Sequence, residues 1–107
     1  MRIRNDYTKS DEIMDEEIEF LAVCSDALAH PARIRLLRYI MAQNKTRTPV
    51  CNKDLVAAFG YAQATVSQHM KTLVRSGLVE TMKKEKSTYY YVNAGLVYKY
   101  VDTVKKL

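Results

Sequence analysis

Between residues 52 and 77 the chain reads as two short helical segments, each closed by a glycine, and this pairing restricts the fold more than any other feature. Asn52 is placed to cap a helix over Lys53 to Phe59, and Gly60 closes it. A second helix follows in "YAQATVSQHMKTLVRSG", where Val66, Met70, Leu73 and Val74 keep helical period and Gly77 ends the run. Its first two turns carry Gln63, Thr65, Ser67, Gln68 and His69, with hardly any charge among them. A solvated helix face normally carries Glu and Lys. Uncharged donors and acceptors gathered at a helix N-terminus suit a partner with hydrogen-bonding edges, such as base pairs in a DNA groove.

The rest of the chain is punctuated around this pair. Residues 1–9 read as a loose arm. From about Ser10 to Ala29 an amphipathic helix is expected, with one stripe of Met14, Ile18, Leu21, Ser25 and Leu28. A second stripe of Ile13, Phe20, Cys24 and Ala27 lies beside it, and two stripes exceed what one small core needs. That excess points to a partner subunit. Asp11, Glu12, Asp15, Glu16 and Glu17 favour the start of this helix through its dipole. Pro31 then suits the first position of another helix, running to about Ala42 with Ile34, Leu37, Ile40 and Met41 inward. "QNKTRTPV" reads as a polar loop.

Beyond Gly77, LVETM and TYYYV are β-prone runs joined through the polar turn KKEKS, which makes a hairpin. Asn93 is placed to cap a final helix bearing Val97, Tyr100, Val101 and Val104. The expected fold is mainly α with α+β character, one winged helix-turn-helix domain over residues 1–107. Within it the helix-turn-helix occupies 52–77, the wing 78–92, and the terminal helices 10–29 and 93–107.

A chain of 107 residues is one domain by length, with a modest core. No apolar run approaches the roughly 18 residues that span a bilayer. The first residues lack the apolar stretch of a signal peptide, so a cytoplasmic location is expected. The net charge of +5 is unevenly spread. Residues 1–30 hold three basic and eight acidic residues, net −5, whereas residues 31–107 hold fourteen basic and four acidic, net +10. One part of the surface is therefore suited to a polyanion. No Ser/His/Asp order, paired carboxylates in a pocket-forming context or phosphate-cradling glycine loop supports an enzyme.

Three segments, "LAHPARIRLLRYI" (28–40), "CNKDLVAAFGYAQATVSQHMKTLVRSGLVE" (51–80) and "STYYYVN" (87–93), together resemble the ArsR/SmtB transcriptional repressors over roughly residues 18 to 104. The resemblance implies a homodimer whose first and last helices form the interface, acting on double-stranded operator DNA. By resemblance and position, Gln63, Ala64, Thr65, Ser67 and Gln68 face the major groove, with His69 either reaching a phosphate or packing on the core. Gln can read adenine with two hydrogen bonds, and Ala64 or the Thr65 methyl can touch thymine. Lys83, Lys84 and Lys86 in the wing are expected on phosphates, with Lys71 and Arg75 beside them. Ala62 stands where the family often has Ser as a cap, and Ala cannot cap. Glu85-Lys86-Ser87 replaces the glycine common at the family's wing tip. A winged helix used for protein contact is the alternative, disfavoured by the lysines beside an uncharged face.

Such repressors usually release DNA on binding an effector, here a small molecule or a redox change. One family metal site uses C-V-C-D-L, matched here by Cys51, Asn52, Lys53, Asp54 and Leu55, so its second thiolate is missing. Another uses Asp and His on the last helix, where only Asp102 remains. A zinc site would have to use His30 and His69, which have no partner at ligand spacing. No metal or other cofactor is expected. Cys24 and Cys51 remain as thiol or redox sensors, Cys51 the more reactive beside Lys53 at a helix start. Packing on the interface stripe is the other reading of Cys24. The run Tyr89, Tyr90, Tyr91 alternates faces in a strand and fits either a pocket or core packing.

Overall fold

The computed structural model describes residues 12–107; the expected arm at 1–9, and residues 10 and 11 of the first expected helix, lie outside them. The element order is α1 (Asp15–Ala27), α2 (Pro31–Lys45), α3 (Asn52–Phe59), α4 (Gln63–Ser76), β1 (Val79–Lys84), β2 (Ser87–Val92) and α5 (Ala94–Val104). Among the described residues this is five helices with a two-stranded antiparallel hairpin, the winged helix-turn-helix order read from the sequence. No helix among the described residues is long and apolar enough to cross a membrane.

Several boundaries differ from the sequence expectation. α1 starts at Asp15 rather than near Ser10, because the Met14 amide donates to Glu17 Oε1 at 2.9 Å and closes the helix there. α2 runs on to Lys45, three residues past Ala42, and beyond its cap Thr46 the chain turns through a left-handed Arg47. Arg47 N–H reaches the Asn44 carbonyl at 2.9 Å and Thr48 N–H reaches Gln43 at 3.0 Å, with Arg47 at φ 59°. Within α2, Leu37 and Ile40 are buried as expected, but Ile34 is 48% exposed, so it is not inward as its spacing suggested; Ala32 and Leu36 are buried in addition.

Asn52 does not cap α3. Cys51 takes that position, and its amide donates to Asp54 Oδ2 at 2.8 Å. Gly60 and Gly77 end their helices at φ 71° and 88°, a region closed to most side chains. Asn93 caps α5 through Oδ1, which accepts from the Leu96 amide at 3.1 Å.

One core joins Leu36 and Ile40 of α2, Leu55 of α3, Val66, Met70 and Leu73 of α4, and Leu78 and Val79 at the wing root. Cys24 and Ala27 of α1 and Tyr90 of β2 complete it. α1 and α5 lie together, through Ser25 Oγ and the Tyr100 hydroxyl at 2.8 Å and an ion pair of Lys106 with Glu17 at 2.7 Å. That ammonium holds the Glu17 carboxyl below its ordinary range. The first stripe of α1 is divided: Met14 is 57% and Ile18 47% exposed, whereas Leu21 is buried and Leu28 packs against the core.

Candidate nucleic-acid interface

α4 divides cleanly. Val66, Met70 and Leu73 turn into the core, while Gln63, Ala64, Thr65, Gln68, Lys71 and Arg75 are exposed. Spacings of three and four set Ala64, Gln68, Lys71 and Arg75 along one outer stripe. Arg75 lies about 18 Å along the axis from Gln63 at the helical rise, in a cleft shared with Val23 and Asp26 of α1. It is thus remote from the helix start. That start is open: Ala62 provides no side-chain cap, and the first helical amide bond runs from Val66 to the Ala62 carbonyl at 3.0 Å.

Ser67 and His69 are set apart from the rest of this group. Ser67 is half-buried, and its hydroxyl oxygen accepts from Asn52 Nδ2 at 3.0 Å. Asn52 Oδ1 in turn accepts from the Tyr90 hydroxyl at 2.8 Å. One amide on α3 therefore joins α4 to the wing. No sequence signal marked Asn52 for this, since its two partners, 15 and 38 positions away, are distant in the chain.

His69 is also half-buried, with Nδ1 3.3 Å from Arg33 Nη1. Arg33 can only donate, so Nδ1 is the acceptor and the imidazole proton sits on Nε2. Burial chiefly, then His30 and Arg33, lowers the His69 pKa from its usual 6.5. The rings of His30 and His69 stand 4.6 Å apart, a proximity not expected from the sequence. His30 is already engaged, its Nδ1 capping α2 at the Ala32 amide, 3.2 Å away. Arg33 further donates to the carbonyls of Ala27 at 2.7 Å and Asp26 at 3.3 Å, latching the end of α1 to α4. A cation beside paired imidazoles opposes a metal, and no metal-holding cluster of three or more His, Cys, Asp or Glu occurs among the described residues.

The wing is a tight hairpin whose turn is only Glu85-Lys86, shorter than the five-residue turn expected. Lys84 pairs with Ser87 and Lys83 with Thr88, so the two lysines point to opposite faces. Lys83 shares the face of Tyr90, toward α3; Lys84 shares that of Tyr89 and Tyr91. Lys83, Lys84 and Lys86 are all exposed. Glu85, at φ 58°, takes the left-handed position that glycine would otherwise fill.

The cysteines are both free and differ sharply. Cys24 is fully buried, and burial pushes its thiol up from the ordinary range, so it is protonated and packed. Cys51 is half-buried at the start of α3, in a bridge to Tyr89 of β2, with the Tyr90 amide donating to Val50 at 2.8 Å beside it.

The helix-turn-helix domain family matches residues 28–81, half of the chain. An arsenical resistance operon repressor from Staphylococcus xylosus is 32% identical over 73 residues, 68% of this chain and 65% of that protein's length. Among solved structures, an ArsR-like transcriptional regulator from Rhodococcus sp. RHA1 superposes with TM-score 0.74 at 20% identity, over 85% of this chain and 81% of its own. The homodimeric winged helix-turn-helix DNA-binding domain of Mb0332 from Mycobacterium bovis gives TM-score 0.67 at 19% identity, over 98% and 90%. The first two of these are a repressor and a transcriptional regulator, and Mb0332 is a possible ArsR-family transcriptional regulator. With its uncapped α4 start and paired wing, the chain belongs to the helix-turn-helix domain family, and its fold is the winged form seen in the ArsR-like regulator.

Proposed function

We propose that the chain is a homodimeric, sequence-specific DNA-binding regulator that represses transcription from an inverted-repeat operator until an effector releases it. The observation that carries this reading is the exposed, uncharged start of α4, where Gln63, Ala64, Thr65 and Gln68 face outward, on a chain whose wing also exposes Lys83, Lys84 and Lys86. Gln63 and Gln68 supply base-reading amides, and Ala64 and Thr65 an apolar contact for thymine. Lys71 and the wing lysines supply phosphate contacts. Ser67 keeps its proton for one contact while Asn52 occupies its lone pair. His69 serves as a packing residue through Arg33 rather than as a phosphate ligand.

Dimerisation is supported by apolar side chains left exposed on the two terminal helices: Met14, Ile18 and Val23 on or beside α1, and Tyr98, Val101 and Val104 on α5. Pairing these faces would set two copies of α4 into major grooves about one helical turn apart, roughly 34 Å. The domain of Mb0332, which shares the fold, is homodimeric. Cys51 is the thiol left accessible for a redox effector, since Cys24 is enclosed in the core. The setting of such a regulator is the cytoplasm.

The test is binding to the DNA upstream of the chain's own gene, with Gln63→Ala and Lys84→Ala compared across salt concentrations. Gln63→Ala should cost about 1–3 kcal/mol and relax sequence preference, whereas Lys84→Ala should weaken every sequence and reduce the salt slope by about 1. Absence of specific binding to this or any genomic fragment, with folded protein, would overturn the reading.

A further inference from the structure

Behind the wing, between the end of α2 and the Lys84 face of the hairpin, lies a cavity of about 620 Å³. Its walls include Asn44, Arg47, Lys84, Glu85, Tyr89 and Tyr91. Both left-handed residues other than glycine among the described residues, Arg47 and Glu85, are on these walls. Each stands where glycine would be free of the steric cost of a side chain, at a helix end in one case and a hairpin turn in the other. Neither charge is used internally: no ion pair joins Arg47, Lys84 or Glu85 to another side chain among the described residues. Asn44 Nδ2 is buried with no hydrogen-bond partner, although Asn44 Oδ1 is engaged by the Val92 amide at 2.9 Å. Strand alternation sends Tyr90 into the core and sets Tyr89 and Tyr91 together on the cavity side.

We infer that this cavity binds a small organic monoanion with a flat apolar body and a hydroxyl group, such as a hydroxyaryl carboxylate. The guanidinium of Arg47 and the ammonium of Lys84 attract the carboxylate. The rings of Tyr89 and Tyr91 flank the flat body. Glu85 accepts from the hydroxyl and disfavours a polyanion. The ligand draws Lys84 away from phosphate, so occupancy weakens DNA binding; this regulatory consequence rests on the reading of the chain as a DNA-binding regulator, whereas the site itself does not.

The experiment is a calorimetric titration of the DNA-free protein with 4-hydroxybenzoate, using inorganic phosphate as the polyanion control. Saturable binding to the wild type is expected, weakened about tenfold or more in Arg47→Gly through loss of the charge-assisted contact. Because glycine suits the left-handed cap, Arg47→Gly should melt no lower than the wild type, so lost affinity there cannot be lost folding. No saturable binding, equal binding by Arg47→Gly, or equal binding of inorganic phosphate would each overturn the site. DNA affinity is then measured with and without 4-hydroxybenzoate. Weaker DNA binding in the wild type but not in Arg47→Gly supports the regulatory step, and unchanged affinity at saturating ligand overturns that step alone.

Discussion

The Tyr90 hydroxyl donates to Asn52 Oδ1 at 2.8 Å, and through that amide the wing is bonded to Ser67 of α4. The two elements proposed to meet DNA are therefore oriented by a residue that need not touch it. Tyr90→Phe removes the hydroxyl and leaves the Asn52 oxygen without its donor in a part-buried position. A loss of about 1–2 kcal/mol of stability is expected in chemical denaturation, together with weaker operator binding. Stability and affinity both equal to the wild type would show that the network orients nothing.

Lowering the pH should destabilise the protein through His69. Its folded pKa lies below the usual 6.5, so the unfolded imidazole takes a proton first. The stabilisation is complete above about pH 6.5 and is lost as the pH falls through the lowered folded value. Thermal denaturation from pH 7.5 down to pH 5 should show a fall in Tm that is shallower in His69→Gln. Identical slopes for the two proteins would remove His69 from the pH response.

Val101, on the outer side of α5, is 45% exposed and makes no part of the core. Val101→Asp should leave the protomer folded and separate the proposed dimer, because an unpaired carboxylate in an apolar interface is strongly unfavourable. Light scattering at micromolar concentration should give a dimer for the wild type and a monomer of native helical content for the variant. A wild-type monomer would refute the proposed pairing of the terminal helices.

What was legible in the sequence was what local chemistry decides. The order of seven elements, the endings at Gly60 and Gly77, the Asn93 cap and the stripe of Val66, Met70 and Leu73 all depend on residues within a few positions of one another. Errors arose where a distant or competing bond decided the outcome. Asn52 looked like a cap, but Asp54 satisfied the helix start at Cys51 and released Asn52 toward Ser67 and Tyr90. Ile34 kept helical period with the core residues, yet faces outward because Leu36 and Leu37 fill the space against the other helices. The approach of His30 to His69 spans 39 positions and leaves no local trace. Of the candidate reading face, exposure matches the expectation at Gln63, Ala64, Thr65 and Gln68, while Ser67 and His69 are occupied within the protein.

Ala62 deprives α4 of a side-chain cap, which leaves the first turn of that helix dependent on whatever its amides meet. Where a serine would complete the turn within the chain, alanine transfers that completion to a bound acceptor such as a DNA phosphate. If that end docks as proposed, its order would be linked to occupancy, and an acceptor bound there would return the free energy of a completed first turn.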